Sequence, residues 1–478
     1  MVDMKLYNTL GKTKERFEPL EDSVVKLYSC GPTVYFYAHI GNMRTYVSID
    51  ILKRILMYNK YRIEHVMNIT DVGHNIGDGD VGEDKIRDEA KRENKSMEDI
   101  VKFYTKSFLD DTKKLSIIQP NIISRASDNI DNILKLIKIL NDKGFLYKIN
   151  SGIYFDTSKS KDYGILFGSN FQKLNIEQKA GARVERPDGL KNITDFAVWR
   201  FANKTEKDMI WDTAFGKGFP GWHVECSAIS MNFLGEQLDI HCGGIDHIQI
   251  HHTNEIAQSE AITGKQFARF WFHGAFLVVD GKKMSKSLRN VYTLNELEKR
   301  GFLALSFRYL MLTVHYRNML NFTFEALKKA EDSLKGIYVF ISKISTIEGV
   351  GSIELLFKKD IEKKKNQFFD LLNDDMNTPL AIAKMYEMIN IAKKKQMNKK
   401  EAEFLLNVLL DFDVVLGLNF NLHLSTALPK EAISIIKDRE NARNNKDFKN
   451  ADKLRDELKE KYNVLIEDTK EGTVWYRK

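Results

Sequence analysis

The stretch that decides the fold runs Ser29-Cys30-Gly31-Pro32-Thr33-Val34-Tyr35-Phe36-Tyr37-Ala38-His39-Ile40-Gly41-Asn42-Met43-Arg44. Before it, Val24-Val25-Lys26-Leu27-Tyr28 reads as a buried strand. After it, Val47, Ile51 and Ile55, with Leu52 and Leu56 beside them, recur at helical spacing as far as Tyr58. A strand feeding a loop that opens a helix is the first unit of a doubly wound α/β fold, and ligands bind beyond the carboxyl ends of such strands. Gly41 lets a nucleotide approach the backbone. The helix N-terminus beside it favours an anionic phosphate, and His39 can hydrogen-bond a phosphate oxygen. Cys30, a candidate metal ligand, lies shortly before this turn. A buried thiol and a turn histidine would look the same without partners, so the rest of the chain must supply them.

With 478 residues, 43% of them hydrophobic, the chain is long enough for two to four domains with real cores. A net charge of +7 permits a polyanionic partner without demonstrating one. Three cysteines make no disulfide framework and point to a reducing compartment. Residues 1–10 carry no apolar signal core, and no long uninterrupted apolar run follows. A soluble, cytoplasmic protein is expected, with no membrane partner. No internal repeat is evident.

Residues 62–70 read as the second parallel strand, ending in Asn68, Thr70 and Asp71, where a substrate pocket is expected. Asp78, Asp80 and Glu83 lack the spacing of an EF-hand loop and read as a solvated loop. Residues 88–111 read as one charged amphipathic helix and 129–144 as another, closed by Gly144. Residues 146–156 alternate like a hairpin strand, and 158–187 are polar and irregular. The region from about 120 to 200 is expected to be an insertion between two halves of a nucleotide-binding fold. The second half then begins near Phe196-Ala197-Val198-Trp199-Arg200. It continues through Gly216-Lys217-Gly218-Phe219-Pro220-Gly221-Trp222-His223-Val224-Glu225-Cys226, with Cys226 at the start of a helix running to about Leu234. Leu238-Asp239-Ile240-His241 reads as a short strand, Cys242-Gly243-Gly244-Ile245-Asp246 as a tight turn, and the segment from His251 to Glu260 as a helix.

His251 and Glu255 are four residues apart and share one face of that helix. Cys30 and Cys226, on loops at strand ends, can approach the same point. Two thiolates, an imidazole and a carboxylate suit zinc. His252 points about 100° away around the helix. His241, Cys242 and His247 are rival ligands, ranked lower because the Gly-Gly turn separates them from the helix. A third signal follows the apolar run 271–278, read as the last strand: Val279-Asp280-Gly281-Lys282-Lys283-Met284-Ser285-Lys286-Ser287-Leu288. Ammonium groups and hydroxyls in a short loop suit phosphates. Most lysine clusters are only solvated turns, but the order Lys-Met-Ser-Lys-Ser is specific.

His39-Ile40-Gly41-Asn42 and Lys283-Met284-Ser285-Lys286-Ser287 together resemble the ATP-binding signatures of class I aminoacyl-tRNA synthetases. Cys30-Gly31-Pro32-Thr33-Val34-Tyr35, Gly221-Trp222-His223-Val224-Glu225-Cys226 and His251-His252-Thr253-Asn254-Glu255-Ile256-Ala257-Gln258 resemble the cysteinyl branch of that family, and the similarity reaches Trp475-Tyr476-Arg477-Lys478. The resemblance implies that cysteine and ATP, with Mg2+, give cysteinyl-adenylate, and that cysteine then passes to the 3′ end of cysteine tRNA. It implies one zinc per chain on Cys30, Cys226, His251 and Glu255, with the substrate thiolate also on the metal. It assigns the catalytic work to His39, Asn42, Lys283 and Lys286, and ATP contacts to His39, Gly41, Asn42, Asp246 and Lys286. Thr70 and Trp222 would line the amino-acid pocket. Asn42 departs from the family's usual second histidine, and Gln249-Ile250 stands where a proline is usual. Cysteine and serine differ only by sulfur for oxygen; a shape pocket separates near-isosteres by roughly 10²-fold, whereas translation needs about 10⁴. Zinc prefers thiolate to alcohol and lowers the thiol pKa, so it serves as a specificity element.

Beyond residue 300, segments 303–313 and 322–343 read as helices flanking the basic, aromatic His315-Tyr316-Arg317. Segment 353–418 is a helical run with Leu371, Leu372, Ile382, Met385 and Ile389 in its core, and Asp374-Asp375-Met376-Asn377-Thr378-Pro379 marks a helix start. After a linker at 422–429, residues 432–461 form one helix or a pair, and 463–475 a terminal hairpin. The expected organisation is a Rossmann-like catalytic domain at 1–300 with its insertion, connecting stem-contact helices at 301–350, an all-α bundle at 351–421 and a small α+β tail at 422–478. By resemblance the tail binds the anticodon through Arg443, Phe448, Asp452 and Asp468, Phe448 replacing a tryptophan that it can imitate by stacking. A monomer is expected. A cysteine ligase acting on a small amine would lack this tail, a non-catalytic tRNA-binding relative would lose the lysine loop or a zinc ligand, and a zinc hydrolase leaves the lysine loop unexplained.

Overall fold

A computed structural model describes residues 3–73, 85–170, 187–203, 208–285, 288, 290–424, 428–469 and 472–477. Asp78, Asp80, Glu83, Lys286 and Ser287 lie outside the described residues. Two compact units emerge, one from residues 3–113 and 118–276, the other from 114–117 and 277–478.

The first unit is built on five parallel strands: β1 (Val24–Ser29), β2 (Arg62–Ile69), β3 (Ile122–Arg125), β4 (Leu238–Gly244) and β5 (Ala268–Gly274). They lie in the order β5-β4-β1-β2-β3. This is the doubly wound order, and it reverses between β1 and β4, where ligands sit in such sheets. Parallel sheets are covered on both faces and their strands are near-continuous apolar runs. Accordingly all seven residues of β4 are buried. Its one carboxylate, Asp239, is satisfied by backbone N–H donors of Leu20 at 2.5 Å and Lys26 at 2.7 Å. Helix α1 (Ile40–Tyr58) buries Met43, Val47, Ile51, Leu52, Ile55 and Leu56, which is the periodicity read from the sequence.

Two expectations about this unit change. Cys242-Gly243-Gly244 is not a turn; it completes β4 and pairs with Phe272, His273 and Gly274 of β5. Pairing with β5 in a fully buried strand overrides the weak strand propensity of glycine. A Cβ on Gly243 would stand 2.6 Å from His252 and 2.7 Å from His247, so this glycine serves close approach rather than chain reversal. The inserted region also lies further along the chain than 120–200. Ile122–Arg125 still belongs to the parallel sheet, and Phe196–Phe201 does not open the second half. It joins an antiparallel sheet of Leu146–Ile149, Gly152–Phe155, Phe196–Phe201 and Gly218–Pro220. Phe155, Phe196, Val198 and Trp199 share one core with Ile133, Ile137 and Leu140 of the helix Ile130–Asp142. A short run buried on both sides does not reveal its strand direction.

The expected helix at 88–111 is two helices, Lys85–Glu93 and Met97–Lys114, broken where Asn94 adopts φ 53°. The apolar run 271–278 is likewise divided. β5 ends at Gly274, and Leu277–Val279 is a strand of a separate sheet with Lys282–Lys283 and Leu320–Phe322.

That small sheet belongs to the second unit, whose helices include Leu294–Lys299, Ala304–Leu312, Phe324–Ile344, Leu355–Asn373, Thr378–Lys393, Lys399–Leu416, Lys430–Asn444 and Phe448–Tyr462. Asn377 caps its helix by accepting from Leu380 N–H at 3.3 Å, with Pro379 in the first turn. The terminal hairpin Val464–Thr469 and Gly472–Arg477 closes a small core of Leu428, Ala432, Ile436, Leu458, Val464, Ile466 and Trp475. Among the described residues no helix is long and apolar enough to cross a membrane.

Candidate metal centre and nucleotide site

Cys30 leaves the end of β1, and its N–H donates to the Cys242 carbonyl of β4 at 3.1 Å, which holds the thiol at the switch point. Gly31 follows because nothing larger fits: a Cβ there would lie 1.6 Å from the Asn68 carbonyl oxygen. Gly31→Ala is expected to cost about 3 kcal/mol or more, at the upper end of overpacking, read as a lowered denaturation midpoint; an unchanged midpoint would contradict the fit.

Helices α2 (Trp222–Leu234) and α3 (His251–Thr263) bring the partners. Both are buried nearly all round, and α3 buries every residue from His251 to Ser259. Small polar residues let the helices approach: Ser259 and Ser227 hydroxyls meet at 2.8 Å, and Gln258 donates to Ser227 Oγ at 2.6 Å and to the His223 carbonyl at 2.7 Å. A helix so polar yet so buried marks a site rather than a scaffold.

The donor atoms of Cys30, Cys226, His251 and Glu255 lie within 4.8 Å of one another, all in buried side chains. These are the four residues expected from the sequence. A second group overlaps it, Cys30 and Glu255 with His241 and His252. Glu255 lies at the centre, 3.0 Å from His251 Nε2 and 2.8 Å from His241 Nε2. Cys30 Sγ is 3.3 Å from His252 Nε2. His252 Nδ1 meets His273 Nε2 at 2.7 Å, and His273 Nδ1 meets Thr9 Oγ1 at 2.8 Å. Burial pushes the Glu255 carboxyl up, but His241 and His251 outweigh it and hold it well below the usual carboxylate range. Burial likewise disfavours charge on His251, yet Glu255 and Cys226 raise it to about 10. Burial raises the Cys226 thiol, but the Cys30 hydrogen bond and His251 bring it down to about 6. Glu255 and Cys226 thus favour positive charge on His251, whereas burial and the neighbouring histidines hold the His252 imidazole well below its usual value.

The nucleotide-side residues are equally local. His39 caps α1, its Nδ1 accepting from Asn42 N–H at 3.1 Å, while Asn42 Oδ1 accepts from His39 N–H at 3.1 Å. Asn42 thus closes a reciprocal capping box. Burial lowers the His39 imidazole from its usual value. Asp246 is exposed just beyond β4, and the Thr70 hydroxyl is buried and accepts from Asn68 at 2.9 Å. Trp222 stacks on His251 at 4.4 Å between ring centres.

Residues 16–332 match the family described as the class I (C) tRNA synthetase catalytic domain, residues 367–421 the DALR domain, and residues 425–475 the cysteinyl-tRNA ligase anticodon binding domain. A cysteine–tRNA ligase of Treponema denticola is 39% identical over 99% of both chains. The chain belongs to the cysteine–tRNA ligase family. It is an enzyme, a class I aminoacyl-tRNA synthetase. Another such ligase, from Clostridioides difficile, is 38% identical over 99% of this chain and 100% of its own. In fold the synthetase is similar to methionyl-tRNA synthetase of Mycobacterium tuberculosis, solved with methionyl-adenylate, at a TM-score of 0.58 and 14% identity over 84% of this chain and 91% of the other.

In the ligase's tail, Arg443 stands 5.8 Å over the Phe448 ring and pairs with Asp468 at 3.0 Å. Asp468 is also gripped by the buried Arg439 fork at 2.8 and 2.7 Å. Asp452 pairs with Arg455 at 3.0 Å. Sequence reasoning set His241 and His252 aside, yet both lie against Glu255. The available signal was the density of histidines around β4 and α3.

Proposed function

We propose that the chain activates L-cysteine with ATP, as its magnesium complex, to cysteinyl-adenylate and transfers it to the 3′ end of cysteine tRNA, with zinc selecting the substrate thiolate. The observation that carries this reading is the convergence of Cys30, Cys226, His251 and Glu255 within 4.8 Å at the switch point of a nucleotide-binding sheet. Two soft thiol donors, an imidazole and a carboxylate in one buried cluster fit one zinc ion. Zinc held there supplies a coordination position that favours sulfur over oxygen. Trp222, stacked on His251, borders the space for the amino acid, and Thr70 lies at the end of β2. His39, Gly41 and Asn42 at the α1 N-terminus hold phosphate by hydrogen bonds and the helix dipole. Asp246 takes the adenosine part. Lys283 and Lys286 neutralise charge as the cysteine carboxylate attacks the α-phosphorus and pyrophosphate leaves. A terminal hydroxyl of the tRNA then attacks the activated carbonyl and AMP leaves.

The division of labour follows the sequence: residues 1–300 activate, 301–350 contact the stem, 351–421 form the bundle and 422–478 read the anticodon. Phe448 supports the last assignment, since its ring is 56% exposed at a helix start beside Arg443. Stacking of a base on such a ring contributes about 1–3 kcal/mol. Phe448→Ala is expected to raise KM for cysteine tRNA roughly tenfold to a hundredfold and to leave pyrophosphate exchange unchanged. Equal loss of both activities would remove Phe448 from the RNA interface. Cysteine-dependent pyrophosphate exchange followed by charging of a cysteine tRNA transcript tests the whole proposal; exchange with another amino acid instead would refute it.

A further inference from the structure

Within the helical unit, one buried residue collects the side chains of three consecutive neighbours. Asp375 is fully buried, and its carboxylate accepts from Tyr316 Oη at 2.7 Å and from Arg317 at 2.8 and 2.6 Å. His315 Nε2 reaches the Asp375 carbonyl oxygen at 2.9 Å. Asp375 and Met376 both adopt left-handed backbone, at φ 61° and 56°. Two successive non-glycine residues there cost energy and persist only where surroundings hold them. The clamped segment leads directly into the strand Leu320–Phe322.

That strand is the seat of the lysine hairpin. It pairs in parallel with Leu277–Val279, which pairs in turn with Lys282–Lys283. The hairpin turn is tied to it twice more: Asp280 N–H donates to the Phe322 carbonyl at 3.0 Å, and Gly281 N–H to Asn321 Oδ1 at 2.8 Å. Because the hairpin is bonded to Leu320–Phe322 along its first strand and at its turn, a shift of that strand carries the hairpin with it.

We propose that Asp375 is a positioning residue for amino-acid activation: through Tyr316 and Arg317 it sets the strand that seats the Leu277–Lys283 hairpin, from which the Lys-Met-Ser-Lys-Ser sequence starts. The proposal rests on the reading that this loop meets the phosphates of ATP. Asp375→Asn keeps the size of the side chain and removes the charge that the Arg317 fork requires. Misplacement of a catalytic group by a distant change costs up to about a hundredfold in rate. Asp375→Asn is expected to lower kcat of cysteine-dependent pyrophosphate exchange about tenfold to a hundredfold, with KM for cysteine within about twofold. In a Lys286→Ala background the same substitution should add less than about threefold, because residues acting as one unit are not additive.

Full additivity would overturn the proposal, as would unchanged kcat in folded Asp375→Asn, or a loss confined to the tRNA-charging step. If thermal melting shows that Asp375→Asn unfolds the unit, Tyr316→Phe, which removes one hydrogen bond, carries the same cycle with the same readings. Lys286→Ala alone at the wild-type exchange rate would refute the reading of the lysine loop itself. A loss in Asp375→Asn beside that result would refute the proposed route as well.

Discussion

Cys30→Ala is expected to strip the ligase of its zinc and of most of its preference for cysteine over serine. Cys30 belongs to both overlapping donor groups, so its removal leaves neither complete. Metal content should fall from one zinc per chain to near zero. The cysteine-over-serine ratio in pyrophosphate exchange should drop from about 10⁴ towards the roughly 10² that shape provides. Cys226→Ala separates the two groups, since it dismantles the set with His251 and spares the set with His241 and His252. Zinc loss in both variants is the expected pattern. One full equivalent retained in Cys226→Ala would move the ion to the two inner histidines. Retention in Cys30→Ala would defeat both arrangements.

Lys286→Ala should slow adenylate formation by roughly 10²–10³-fold, the usual cost of removing one charge-stabilising donor from a transition state. KM for cysteine should hold, because a lysine that meets the phosphates adds nothing to thiol recognition. Single-turnover measurement of adenylate formation distinguishes this from slower product release. A wild-type exchange rate would remove Lys286 from the chemistry.

The start of the nucleotide fold was legible because strand, loop and helix each carry an unambiguous period: a buried run before Cys30, then Val47, Ile51 and Ile55 on one helix face. The four expected donors were legible from residue type and from the i, i+4 spacing of His251 and Glu255. His241 and His252 were not, for two physical reasons. Reading Gly243-Gly244 as a flexible turn separated His241 from the helix that carries Glu255, whereas pairing with β5 holds those glycines extended. Setting His252 aside by its helical angle assumed one buried face, whereas α3 is buried all round at its start. The direction of Phe196–Phe201 was hidden because its apolar residues face neighbours on both sides.

The order of the parallel strands has a consequence for synthesis of the protein. β1 lies between β2 and β4, and Cys30 meets Glu255 across 225 residues of chain. At about 5–20 residues per second, roughly ten to forty-five seconds separate the emergence of the first donor from that of the last. For most of that interval β2 is available beside β1 while β4, its other neighbour, has yet to be made. The donor cluster is therefore completed late in synthesis of the first unit, once the segment carrying Glu255 has emerged. Starving the producing cell of zinc should then yield chains with the parallel sheet paired and the thiols still reactive, rather than chains arrested before the inserted sheet.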